Sequence, residues 1–100
     1  ALAIELEQLP PIYGSKDQLE QVFMNMVLNA QAAMRRGGTL RIRAEVDQND
    51  IVVTFSDTGQ GIAPDHINKI FDPFFSTKKN GTGLGLFVSY GIIQGHHGTI

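Results

Sequence analysis

From Ser15 to Gly38 the chain spells a helix with both ends marked, and that segment constrains everything around it. Ser15 followed three residues later by Gln18 is a capping-box pattern. Asp17 and Glu20 add negative charge in the first turn, where exposed N–H groups and the helix dipole favour it. Leu19, Val22, Phe23, Met26, Val27, Ala30, Ala33 and Met34 recur at helical spacing and predict one apolar face; Arg35, Arg36, Gly37 and Gly38 end it. The next segment, TLRIRAEV, changes period: Leu40, Ile42, Ala44 and Val46 alternate with Thr39, Arg41, Arg43 and Glu45. DQND makes a turn, and IVVTFSD returns with Ile51, Val53 and Phe55 on one face, so a hairpin follows. One apolar and one polar face predict a mostly antiparallel sheet covered by helices on one side, an α+β two-layer sandwich.

The flanks are less regular. Residues 1 to 13 begin strand-like and meet Pro10 and Pro11, which favour an edge or extended segment. Residues 57 to 83 are dense in Gly, Pro, Asp and Lys, with one short helix expected from Pro64. Such long irregular segments are usually lids or disordered. From Leu84 to about Gln94 the pattern is helical again, and HHGTI then reads as a strand cut short, the sign of a fragment of something longer. With 100 residues, 42% of them hydrophobic, the chain is expected to form one domain over 1–100. A net charge of −2 gives no global pull toward nucleic acid or anionic lipid, so a polyanion must be held locally. The absence of cysteine excludes disulfides, zinc thiolate sites and thiol nucleophiles. No apolar run approaches the roughly 20 residues of a membrane span, and the expected compartment is the cytoplasm.

Four stretches carry candidate chemistry. Asn25 and Asn29 share one side of the first helix, about 100° from the middle of the apolar face, where a ligand could lie or where two amides could bond a neighbouring loop. DTGQGI follows a strand: Asp57 could accept from an exocyclic amino group while Gly59 and Gly61 let the chain turn tightly, or the stretch is an ordinary turn. FDPFFSTK places Phe71, Phe74 and Phe75 in a polar segment, as a lid anchor, a protein contact surface or a satellite cluster. GTGLGL, residues 81 to 86, is neither a P-loop nor GxGxxG. Its bare backbone N–H groups at a helix start suit an anion, with the Thr82 hydroxyl beside them; a flexible hinge is the other reading. His66, His96 and His97 lack metal-ligand spacing and read as tail or surface histidines.

In this order the four stretches resemble the ATP-binding catalytic domain of two-component sensor histidine kinases, within the wider family of gyrase, Hsp90 and MutL ATPases. QVFMNMVLNAQAAM looks like the N box, DTGQGI the G1 box, FDPFFSTK the F box and GTGLGL the G2 box. The resemblance implies a Bergerat fold, a mixed, mostly antiparallel sheet covered on one face by helices, here truncated at the C-terminus. It also implies that Asn29 coordinates Mg²⁺, that Asn25 lies toward the phosphates of ATP, and that Asp57 recognises adenine with Gly59, Gly61 and Ile62 around the base. The segment from about His66 to Thr82 corresponds to the ATP lid, with Gly81, Thr82, Gly83, Leu84 and Gly85 on its phosphate-facing edge and Lys78 or Lys79 reaching the phosphates. Ala32 departs from a lysine that some members carry.

In the related ATPases a water-activating glutamate stands where this chain has Asn25. A neutral amide cannot take a proton from water, which favours phosphoryl transfer over hydrolysis. The resemblance implies two partners: a histidine-containing dimerisation domain of the same protein, and a downstream response regulator. It implies a homodimeric parent of a kind that can be membrane-anchored, while the fragment itself is expected to be monomeric and unable to autophosphorylate alone. Two other readings stand beside it: a non-catalytic nucleotide- or protein-binding module, and a serine kinase of the anti-sigma-factor type on the same fold.

Overall fold

The computed structural model describes residues 1–6, 8–73 and 84–100. Element order is β1 (Leu2–Leu6), α1 (Lys16–Ala33), β2 (Leu40–Asp47), β3 (Asp50–Asp57), a 3₁₀ turn (Ile67–Lys69) and α2 (Gly85–Gly95). The chain divides into two compact units, Ala1–Ile12 with Val27–Gly61, and Tyr13–Met26 with Ile62–Ile100. The division falls inside α1.

The first unit holds a three-stranded sheet in the order β1-β2-β3. β2 and β3 pair antiparallel, as their alternation predicts, whereas β1 pairs parallel to β2, so the sheet is mixed. Asp47 faces Asp50 across a two-residue loop in which Gln48 takes φ +55°, a sign that hairpin loops of this length require. From that loop the register runs Val46↔Ile51, Ala44↔Val53 and Ile42↔Phe55, three apolar pairs, and ends with Leu40↔Asp57. Ala30, Leu40 and Ala44 are the buried apolar residues of this unit.

The end of α1 meets the segment after β3. Gln60 N–H donates to the Ala33 carbonyl at 3.3 Å, and the Thr58 hydroxyl accepts from Thr39 N–H at 3.0 Å and faces Met34 Sδ at 3.7 Å. Gly59 passes so close to α1 that a Cβ there would stand 2.5 Å from the Ala33 carbonyl oxygen.

In the second unit α1 begins as its cap predicts. Gln18 N–H donates to Ser15 Oγ at 3.2 Å, and Leu19 N–H to the Ser15 carbonyl at 3.0 Å. The reciprocal bond of a capping box is replaced, because Ser15 N–H donates instead to His96 Nε2 at 2.9 Å. His96 Nδ1 lies 2.8 Å from the Ile92 carbonyl. A carbonyl oxygen can only accept, so Nδ1 carries the proton and Nε2 is left as the acceptor Ser15 needs. The expectation of a surface histidine is corrected for His96: it is half-buried and closes the N-terminus of α1.

Two further expectations change. Phe23 is 41% exposed, so the inward side of α1 is turned away from it. The short helix expected from Pro64 is a run of three-residue turns, His66 N–H to Ala63, Lys69 to His66 and Asp72 to Lys69, with 3₁₀ geometry only at Ile67–Lys69. Each bond spans three residues, and no four-residue ladder forms. α2 ends in a Schellman motif: His97 N–H reaches the Gln94 carbonyl at 3.0 Å and Gly98 N–H the Ile93 carbonyl at 2.9 Å. His97 takes φ +61° there, a position usually held by glycine. Among the described residues no helix is long and apolar enough to cross a membrane.

Two stability changes follow from this backbone. Gly59→Ala is expected to cost about 1–3 kcal/mol, since the obstructing atom is backbone and cannot rotate away, read as a lowered urea midpoint at unchanged m-value. His97→Gly is expected to stabilise by about 0.5–1 kcal/mol by removing left-handed strain, read as a raised Tm.

Candidate functional site

Asp57 closes β3 on the same sheet face as Ile51, Val53 and Phe55, because side chains two residues apart share a face. The apolar row therefore ends in a carboxyl group. One of its oxygens, Oδ1, accepts the Gly59 N–H at 2.8 Å, an Asx turn that fixes the side chain and leaves Oδ2 to meet an outside donor. An acceptor held at the rim of an apolar row is what an exocyclic amino group of a flat base requires.

The two glycines after it do different work. Gly59 is required by its approach to Ala33, and Gly61 by its backbone, at φ +74° with open space where a Cβ would stand. Gly59 and Gln60 also line a cleft of about 300 Å³ with residues 32 to 37, in which Arg35 and Arg36 lie. Of the expected ligand-binding residues that are described, only Gly59 borders that cleft. Asn29, on the last turns of α1, is half-buried and belongs to the same unit as Asp57.

The second unit holds Asn25, Ile62, Leu84 and Gly85. Asn25 Nδ2 donates to the Gly85 carbonyl at 3.1 Å and to Ser89 Oγ at 3.0 Å. The Gly85 carbonyl can only accept, so the nitrogen must face it, and the orientation of the amide follows from chemistry alone. Asn25 is thus brought onto the first turn of α2, directly after the glycine-rich stretch. Ile62 is 52% exposed, and Leu84 is the N-cap of α2. Phe71 packs against Tyr90 of α2, ring centroids 5.4 Å apart. Phe74, Phe75, Lys78, Lys79, Gly81, Thr82 and Gly83 lie outside the described residues.

Ser89 is the residue that sequence reasoning missed. Its signal was present: a lone serine in the mostly apolar run LFVSYGII, one turn after Gly85. Among the described residues no group of three or more His, Asp or Glu side chains could hold a metal ion.

Comparison with known proteins gives this arrangement a family. Residues 14–100 match the family described as histidine kinase-, DNA gyrase B-, and HSP90-like ATPase. The chain is 41% identical over 96 residues to sporulation kinase E of Bacillus subtilis, covering 95% of the chain and 13% of that protein. It is 45% identical over 95 residues to the sensor histidine kinase ZraS of Salmonella typhimurium, covering 94% and 20%. The solved mycobacterial sensor histidine kinase MprB superposes with a TM-score of 0.82 at 26% identity, over 96% of this chain and 65% of that one. The chain therefore spans a fifth or less of the length of these two curated relatives. With its mixed sheet, its two helices and a family match running from Gly14 to the last residue, the chain belongs to the histidine kinase-, DNA gyrase B- and HSP90-like ATPase family, as an ATP-binding catalytic domain of the sensor histidine kinase kind.

Proposed function

We propose that this chain holds Mg·ATP for transfer of its γ-phosphoryl group to a histidine in a separate dimerisation domain of the same protein, from which a response regulator takes it. The observation that carries this reading is the state of Asn25. Where the related ATPases place a glutamate to activate water, this chain has an amide whose nitrogen already donates to the Gly85 carbonyl and Ser89 Oγ. A group with no proton-accepting capacity at that point leaves bound nucleotide without a base for hydrolysis. Catalysis is then positioning and charge stabilisation, the usual division of labour in phosphoryl transfer.

The remaining roles fit the residues present. Asp57 Oδ2 accepts from the adenine amino group, and Gly59, Gly61 and Ile62 border the base. The Asn29 side-chain oxygen is of the type Mg²⁺ takes from protein when phosphate and water supply the rest. Gly81, Thr82, Gly83, Leu84 and Gly85, with Lys78, form the phosphate edge. When bound, Mg·ATP supplies the phosphoryl group and the cation that neutralises its charge. The chain orients the nucleotide, excludes water and keeps a base away from it. Supporting this reading are the relatives, both named as kinases, of which this chain covers the stretch just described. The acceptor histidine belongs to a different domain on this reading, and within this chain His96 is already taken up at the cap of α1. The phosphotransfer itself is tested by mixing this chain with its histidine domain and labelled ATP, with acid-labile label expected on histidine.

Asn29→Ala is expected to lower Mg²⁺-dependent ATP affinity and histidine labelling about 10–100-fold while circular dichroism stays unchanged. Labelling at the wild-type rate would remove Asn29 from the metal. Asp57→Asn is expected to weaken ATP binding by about 1–3 kcal/mol and to shrink or reverse the preference over GTP, measured by calorimetry. Gly59 N–H holds one side-chain oxygen, so an asparagine keeps its carbonyl there and turns its NH₂ outward, where it opposes the amino group of adenine and suits the carbonyl of guanine.

A further inference from the structure

Ser89 is the one fully buried residue of α2, at 0% exposure, and it is polar. A hydroxyl in that position costs stability unless it is bonded, and its recorded partner is Asn25 Nδ2 at 3.0 Å. The same nitrogen reaches the Gly85 carbonyl at 3.1 Å, so both amide hydrogens of Asn25 are committed to one turn of α2. The backbone of Gly85 lies close beneath this grip: a Cβ there would stand in ordinary contact, 3.9 Å from the Asn25 side-chain carbon. With one acceptor alone the amide could rotate and keep a single bond. Two acceptors one helical turn apart hold it in one orientation.

We propose that Ser89 is a positioning residue that acts through Asn25. It locks the amide so that the only polar atom Asn25 can offer a ligand is its carbonyl oxygen, as an acceptor from water or a ligand to a cation, and not as a donor to a phosphate oxygen. The lock also ties the first turn of α2, and with it the end of the glycine-rich stretch, to α1. The kinetic part of this proposal rests on the phosphotransfer reading above; the lock itself does not.

The test has two arms. In the full chain without nucleotide, NMR of the Asn25 side-chain NH₂ is expected to show both protons protected from solvent exchange, and Ser89→Ala to accelerate their exchange about tenfold, the worth of one neutral hydrogen bond. Unprotected protons in the wild type, or exchange unaltered by Ser89→Ala, would overturn the lock. In the intact kinase, Ser89→Ala is expected to slow histidine phosphorylation at saturating Mg·ATP about tenfold with KM for ATP within about twofold, because the amide orients rather than binds. Ser89→Ala combined with Asn25→Ala should be no slower than Asn25→Ala alone. Losses that multiply, or a wild-type rate in Ser89→Ala, would sink the positioning role. Should no form, wild type included, label a histidine, the phosphotransfer reading falls while amide exchange still decides the lock.

Discussion

The register of the β2–β3 hairpin is the constraint on which the placement of Asp57, the proposed adenine acceptor, depends. Asp57 lies on the inner face only because it is paired with Leu40, and that pairing is counted out residue by residue from the two-residue loop at Gln48 and Asn49. A slip of one position would carry Asp57 to the opposite face together with Phe55, Val53 and Ile51, because strand side chains alternate. The slip is opposed by four apolar residues of β2 and three of β3 at once. The carboxyl group is therefore held in place by residues that never touch a ligand, and its precision is that of the sheet.

Closing the strand there creates a second demand. After Asp57 the backbone must leave the sheet, satisfy its N–H groups and clear the end of α1. Gly59 meets all three: its N–H goes to Asp57 Oδ1, the next N–H to the Ala33 carbonyl, and the missing Cβ gives the clearance. The glycine of the DxGxG stretch is explained by protein packing before any base is considered. Orienting Asp57 and docking the loop on α1 are one event, so a substitution at Gly59 disturbs the acceptor as well as the fold.

Much of this was legible in the sequence, and what was not has a common cause. The start of α1 at Ser15, the hairpin and the limits of α2 follow from local signals: a cap, a change of period, a run of apolar residues after glycines. The parallel pairing of β1 with β2 joins Ile4 to Ile42, and nothing near either residue announces it. The same is true of Ser15 and His96, 81 positions apart, where a histidine replaced the glutamine side chain expected to complete the cap. Phe23 fitted the apolar period of α1 yet faces outward, because periodicity fixes the spacing of a face but not which neighbours finally cover it. Pro64 signalled a helix start correctly in kind, but too few residues follow before Pro73 for four-residue bonds to accumulate. The four boxes pointed to the family through residue identity. They gave no sign of how Asn25 is held, because one partner, Gly85 of the last box, bonds through its backbone carbonyl and the other, Ser89, lies outside all of them.

Asn25 shows why the residue type at one position separates two chemistries on a shared fold. A glutamate there would set carboxylate oxygens against the Gly85 carbonyl, where neither side has a hydrogen to give, and could be held only by the Ser89 hydroxyl, so half of the grip on α2 would be lost and a proton acceptor gained. An amide is drawn in, because its nitrogen satisfies two acceptors that the first turn of α2 presents. The substitution thus removes a proton acceptor and, in the same step, adds a strut to the helix that follows the glycine-rich stretch. On the proposed reading, the lack of a base for hydrolysis and the tie between α1 and the first turn of α2 are two consequences of one side chain, and the buried hydroxyl of Ser89 supplies one half of that tie.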